Sequence, residues 1–375
     1  MYKRVITALA VAAVPLAMTA GQMAAASPSP SSPAGAGTAG ITHASRAASA
    51  RPALPRQLRL GYFQPKASGL TAAARTVPFY ADKFVYKRVT YHYTSVGTNP
   101  RTSIATTTVP VTFIPVRINE ADGGFSYPTG AVGSTTGSAL FRNSAATGGT
   151  QYGAATLRAS YWRYVAAHKG RWHVLLGKPV TTALLTINVP SNQGATAQDS
   201  SGDFVPLVNV NWYAGMLNGI AARYAPNRLV VFLTYNTVGC SDFTNTSTCG
   251  IGGFHTAVGT STGNHTYSWA SWVSPGVFGA GSADTAAMSH EVAEWLNDPF
   301  VNDIVPRWSV PSEPQYGCSN AFEVGDPLVG HTFTIGALHY QDETNFSWFA
   351  RQKPSVGFNG WYSYKGTFRT FSPSC

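Results

Sequence analysis

The chain has 375 residues and a formal net charge of +10, yet only 11% of its residues are charged and 44% are hydrophobic. So low a charged fraction excludes a highly charged disordered protein for the bulk of the chain. Much of the positive charge (Lys3, Arg4, Arg46, Arg51, Arg56) precedes the folded part and is not interleaved with aromatics, which argues against nucleic-acid binding.

Lys3 and Arg4 open an apolar run from Val5 to Met18 that leads to Ala24-Ala25-Ala26, a small-residue cleavage pattern. This predicts a secretory signal peptide over 1–26 and a secreted, extracellular protein. No later run reaches the roughly twenty apolar residues of a transmembrane span. Residues 27–57 are rich in Ser, Pro and Ala and read as a linker or propeptide-like segment. Its arginines suit an anionic surface, but a solvated linker is the simpler reading. Residues 58–375 are expected to form a single α+β domain.

Thr106–Ile118 alternates β-branched and apolar residues and reads as a strand with its prolines at edge positions. Tyr127–Thr150 reads as Gly/Ser/Thr-rich loop. Thr150–His168 reads as a helix with Leu157, Tyr161 and Val165 on one face. Trp172–Leu176 and Thr182–Val189 read as strands. Residues 205–213 read as a strand and 216–224 as a short helix. Arg228–Val238, with the apolar run Leu229–Leu233, reads as the strongest strand, continuous enough to be central in a sheet. Gly252-Gly253-Phe254 reads as a turn before His255, and His265–Val273 as a strand. Ser282–Leu296 reads as a second helix, with Asp284 near its start as a cap and Asn297-Asp298-Pro299 as its stop. The remainder reads as loop and short strand.

An even number of cysteines in an exported chain implies two disulfides. Cys240–Cys249 closes a short loop, which leaves Cys318–Cys375. The chain has no C-x-x-C pair, so a thiolate zinc site is not expected.

The chemistry concentrates on Ser289-His290-Glu291-Val292-Ala293-Glu294. On a helix, His290 and Glu294 share one face and can grip a single ion. Glu291 then stands where H-E-x-x-H enzymes place their general base. Zinc accepts both imidazole and carboxylate, although a carboxylate in the second position also suits manganese, iron or calcium. A third ligand must come from elsewhere, and Glu323 is expected to supply it, with Asp326 orienting His290 from behind. Asp326 as ligand and Glu323 as orienter is the exchanged assignment. Asp298, one turn beyond Glu294, is a further outer-shell candidate. His255 and Tyr340 are expected as donors to an oxyanion, with His331 and His339 weaker candidates. Trp295, Trp308, Trp348, Trp361 and Tyr362 could line a cleft, but core packing is expected for most. A serine triad of His255, Asp284 and Ser289 lacks the Gly-x-Ser-x-Gly elbow.

The stretch from Ser289 to Glu294, followed by Asn297-Asp298-Pro299 and Asn302, resembles a segment of exordium-like (phosphate-induced) secreted proteins and of a group of exported actinobacterial proteins. The resemblance extends to Thr150-Gln151-Tyr152, Trp172–Gly177, Gly252–His255 and Glu323–Pro327. It implies a zincin-like fold, with a mixed sheet packed on the metal-site helix and a loop-rich C-terminal part. The expected function is a secreted zinc-dependent hydrolase, foremost a metallopeptidase acting on a peptide or protein. The alternative is a non-catalytic protein that binds cell-wall polysaccharide, with a structural metal or none.

Overall fold

The computed structural model describes residues 54, 57–72, 74–279, 281–370, 373 and 375. The expected signal peptide over 1–26, and all but residues 54 and 57 of the expected linker, lie outside them. The described residues belong to one compact unit, Ser49–Cys375.

The chain opens with a hairpin of β1 (Phe79–Tyr86) and β2 (Val89–Val96), then β3 (Thr106–Val109), β4 (Val111–Glu120) and β5 (Phe125–Ser126). Helices α1 (Thr129–Thr136), α2 (Tyr152–Ser160) and α3 (Trp162–Ala167) follow. Strands β6 (His173–Leu176), β7 (Val180–Thr181), β8 (Leu185–Val189), β9 (Gly194–Gln198) and β10 (Phe204–Asn209) lead into α4 (Val210–Ala221). Then come β11 (Leu229–Tyr235), β12 (Val238–Cys240), β13 (Cys249–Ile251), β14 (Gly253–Thr260), β15 (Gly263–Trp272) and α5 (Ala286–Asn297). The C-terminal part carries β16 (Ile304–Trp308), β17 (Ser319–Ala321), β18 (Thr332–Ile335), β19 (Leu338–Gln341) and α6 (Phe346–Phe349). Both disulfides form, Cys240–Cys249 and Cys318–Cys375. No helix among the described residues is long and apolar enough to cross a membrane.

The main sheet is mixed, in the order β14-β15-β11-β4, with β5, β7 and β8 all against β4. β11 runs parallel to both β15 and β4. Its side chains alternate between two cores. Leu229, Val231 and Leu233 pack with α5, and Val230 and Phe232 pack with α4. A strand covered on both faces must be apolar throughout, which is why Leu229–Leu233 reads as an unbroken run. The sheet thus lies between α4 on one face and α5 on the other.

Several sequence expectations change in the structure. Pro115 is not at an edge but lies in β4, inside the sheet, opposite Leu233. It falls where the partner on the other side of β4 passes from β7 to β8, so the ladder is already interrupted there. The supposed loop 127–150 contains α1, whose Thr135 and Thr136 hydroxyls donate to the carbonyls of Ala131 and Val132. Polar composition hid a helix because its hydroxyls are satisfied internally. Residues 150–168 form two helices broken at Tyr161, although Leu157, Tyr161 and Val165 are all buried as expected. Val210–Tyr213 are helical, because the Asn209 side chain accepts from the Trp212 N–H and starts α4 early.

Glu120, at the end of β4, is buried and neither carboxylate oxygen has a hydrogen-bond partner. Burial and the neighbouring Asp122 push its pKa up from 4.5 to about 9. Between those values the native state holds a proton that the unfolded chain has released, so Glu120 makes stability fall as pH rises through this window. Thermal melts should show Glu120→Gln gaining on the parent protein progressively from pH 5 to pH 9. A difference that stays constant with pH would contradict this assignment.

Candidate metal centre

α5 carries the site. All of its residues but Ala287 are buried, so its polar side chains serve internal partners rather than solvent. Thr285 precedes the helix without a side-chain cap. Asp284, expected as a cap, instead adopts a positive φ and accepts from the His339 N–H and from its ring Nδ1 at 2.6 Å. This pins the start of α5 to β19. At the other end, Asp298 terminates the helix, and its carboxylate accepts from the backbone N–H groups of Phe300, Asn302 and Asp303.

His290 and Glu294 lie one turn apart, as the i, i+4 spacing requires, with His290 Nε2 3.0 Å from Glu294 Oε2. The same nitrogen lies 3.6 Å from Asp326 Oδ1 and 4.0 Å from Glu291 Oε1. His255 comes from β14. Strand alternation sends Phe254 into the core beneath α4 and His255 to the α5 side. Its Nδ1 lies 3.4 Å from Glu291 Oε2 and 3.5 Å from Glu294 Oε2. Its Nε2 lies 3.1 Å from the Asp298 carbonyl oxygen and 3.8 Å from Glu323 Oε2. The donors therefore fall into two clusters sharing Glu294: His290, Glu294 and Asp326, and His255, Glu291 and Glu294.

Two glycines permit this crowding. A Cβ on Gly325 would sit 2.5 Å from His290 Nδ1, and one on Gly253 would sit 2.8 Å from the Glu291 side chain. The Gly325 N–H also donates to Glu294 Oε1, leaving Oε2 to face both imidazoles. Gln341 closes the back, its side-chain amide donating to the Gly325 carbonyl and its backbone N–H to Ser289 Oγ.

These positions revise the expected roles. Asp326, not Glu323, reaches His290, because the backbone at Gly325 passes against the imidazole and the next residue turns its carboxylate onto it. Glu323 faces His255 instead. Asp298 orients His255 through its backbone carbonyl rather than its carboxylate. His255 has both nitrogens engaged inside the cluster, so it is not a free oxyanion donor. Tyr340 does not line the cleft; its ring is tilted against Tyr152 and its hydroxyl accepts from the Ala139 N–H. The next residue along β19, Gln341, faces the site in its place. His331 lines a neighbouring cavity. Trp295, Trp308, Trp348 and Tyr362 are buried core residues.

Sequence reasoning missed two contributors. Tyr316 is buried in the cleft beside Asp326 and helps keep its carboxylate ionised. Gln64 donates to Glu323 Oε1 from a segment that runs along the edge formed by β13 and β14. That segment is held by Gly61 N–H to the Gly250 carbonyl, Ser68 N–H to Ala257 and Gly259 N–H to Ser68. Gly250 and Gly259 make the track, since a Cβ on either would collide with the segment's backbone. No local pattern in either stretch announces these partners.

The electrostatics are those of unmatched negative charge. Glu291, Glu294, Glu323 and Asp326 line the cleft with His255 and His290, and among the described residues no lysine or arginine does. Burial raises Glu291, Glu323 and Asp326, and Glu294 raises them further, against the opposing pull of the imidazoles. Burial would raise Glu294 too, but His290 and His255 hold it well below the usual carboxylate range. Burial would lower both imidazoles, yet the carboxylates raise them well above the ordinary histidine value, Glu323 foremost for His255 and Glu294 for His290. Compared with known proteins, the chain matches no family model, no curated protein and no solved structure.

The close approach at Gly325 generates a stability test. Gly325→Ala should lose about 1–3 kcal/mol in urea melts, because the added methyl displaces the His290 ring. Gly130→Ala, in α1 with nothing within 4 Å of a new Cβ, should instead gain about 0.5–1 kcal/mol. Equal responses would contradict the packing described.

Proposed function

We propose that the chain is a secreted, zincin-like zinc metallohydrolase, a peptidase in which His290, Glu294 and Asp326 hold the ion and Glu291 is the general base. The observation that carries the reading is the donor set. Bonds of 2.0–2.1 Å at the tetrahedral angle place ligand atoms about 3.3 Å apart. His290 Nε2 stands 3.0 and 3.6 Å from its two carboxylate oxygens. With four carboxylates and, among the described residues, no lysine or arginine lining the cleft, a divalent cation is the natural counter-charge. The two disulfides suit an exported protein.

When bound, zinc polarises a carbonyl and acidifies water. The protein's own groups then do the proton work. Glu291 adjoins the ligand His290, and burial raises its pKa above the ordinary glutamate value, which favours holding a proton once taken. His255 fixes Glu291 from the β14 side, and the Asp298 carbonyl fixes His255 in turn. Tyr316 steadies Asp326.

A polypeptide substrate is favoured over a saccharide. The β13–β14 edge beside the cleft already takes an extended chain through backbone hydrogen bonds, the recognition mode of strand addition. Of the aromatics expected to line a cleft, Trp295, Trp308, Trp348 and Tyr362 are buried, and Trp361, partly exposed, does not line this one.

Elemental analysis of the purified secreted protein, supplied with limiting zinc, should find about one ion per chain, lost in His290→Ala. Glu291→Gln should keep the ion and lose roughly 10²–10⁴-fold in peptide hydrolysis. A zinc-supplied protein without bound metal would overturn the reading.

A further inference from the structure

The second cluster, His255 with Glu291 and Glu294, is left without a counter-ion by the arrangement above. Its spacing is that of a ligand set. His255 Nδ1 stands 3.4 Å from Glu291 Oε2 and 3.5 Å from Glu294 Oε2, close to the separations around His290. All three side chains are buried.

The far side of the imidazole strengthens the case. His255 Nε2 lies 3.1 Å from the Asp298 carbonyl oxygen, which can only accept, so Nε2 carries the proton. Nδ1 therefore turns toward two carboxylate oxygens, and either a proton or a cation must lie between them. An imidazole that donates one N–H to a backbone carbonyl and offers the other nitrogen to a cluster of carboxylates is held as metal-ligating histidines are held.

Charge points the same way. Histidine ligands are neutral when they bind a metal. With both imidazoles neutral and all four carboxylates ionised, the cleft would carry a charge of −4, of which one divalent cation offsets only half. Glu323 adds an oxygen, Oε2, that is buried, accepts no hydrogen bond and lies 3.8 Å from the same imidazole. Glu294 Oε2 is placed to serve both clusters, facing His290 on one side and His255 on the other. Two ions that share a carboxylate in this way sit about 3.5–4 Å apart.

We propose that His255, Glu291 and Glu294 form a second divalent-cation site, and that filling it takes Glu291 out of service as a base. The second ion binds more weakly than the first, because it shares Glu294 with an ion already there and is repelled by it. The inhibitory consequence rests on the proposed role of Glu291, whereas the second site itself does not. Metal supply then sets activity in both directions: the first equivalent switches the protein on and the second switches it off.

The test is a calorimetric titration of the full secreted, metal-free protein with zinc, paired with elemental analysis and a peptide-hydrolysis assay at each ratio. Two equivalents should bind, at least tenfold apart in affinity. Hydrolysis should rise with the first and fall with the second. His255→Gln should bind one equivalent only and lose the fall at high zinc. Asp326→Asn should weaken the tighter equivalent instead. Unchanged thermal melts of the zinc-free variants show that they fold. Should His255→Gln unfold, Glu291→Gln removes a charge from the same triad on α5 and should weaken the second equivalent alone. One equivalent in the parent protein, lost in His290→Ala, overturns the second site while leaving the hydrolase reading intact. Two equivalents that both survive His255→Gln and Glu291→Gln overturn its location. No bound zinc at all overturns both readings.

Discussion

A carboxylate taken out of water costs several kcal/mol unless its charge is met, and this fold takes four of them into one cleft. Glu291, Glu294, Glu323 and Asp326 are each no more than 5% exposed, and among the described residues no lysine or arginine lines the space between them. The neighbourhood is arranged around that cost. Glu294 receives a backbone N–H from Gly325 and Glu323 an amide from Gln64, and Tyr316 favours the ionised form of Asp326. Two imidazoles supply the remaining donors. Even so, Glu323 Oε2 stays without a hydrogen bond.

The scaffold holds this cluster by drawing on distant parts of the chain. α5 supplies three side chains in little more than one turn, β14 supplies His255, and the segment after β17 supplies Glu323 and Asp326. Each is anchored independently. β14 is fixed in register with β15 over its whole length. α5 packs on β14, β15, β19 and α2. The Cys318–Cys375 bridge ties down the start of the Glu323–Asp326 segment. Donors on separately braced elements keep their geometry when any one element relaxes, which a metal centre with fixed bond lengths requires.

The segment from Leu58 to Gly69 links this centre to its surroundings. It follows the sheet edge over glycines that leave no side chain in its way, sets Tyr62 edge-on against Tyr316, and reaches Glu323 through Gln64. The same segment walls the cleft and a larger neighbouring cavity.

Much was legible in the sequence because it is local. The i, i+4 pairing of His290 with Glu294, the strand at 228–238 with its apolar run, and the stop at Asp298-Pro299 each follow from a few neighbouring residues and the period of the backbone. The mixed α+β composition and the two disulfides were legible for the same reason. What tertiary structure decided depends on which elements meet. Asp326 rather than Glu323 reaches His290 because the backbone at Gly325 packs against its ring, a contact between residues 35 positions apart. Tyr340 and Gln341 exchange sides through the pleat of a strand whose orientation is set by its partners. Gln64 joins the centre from more than 200 residues away in the chain. The spacing of residues along one helix determines what that helix can offer a metal ion. Only the packing of other elements against it decides which groups complete the offer.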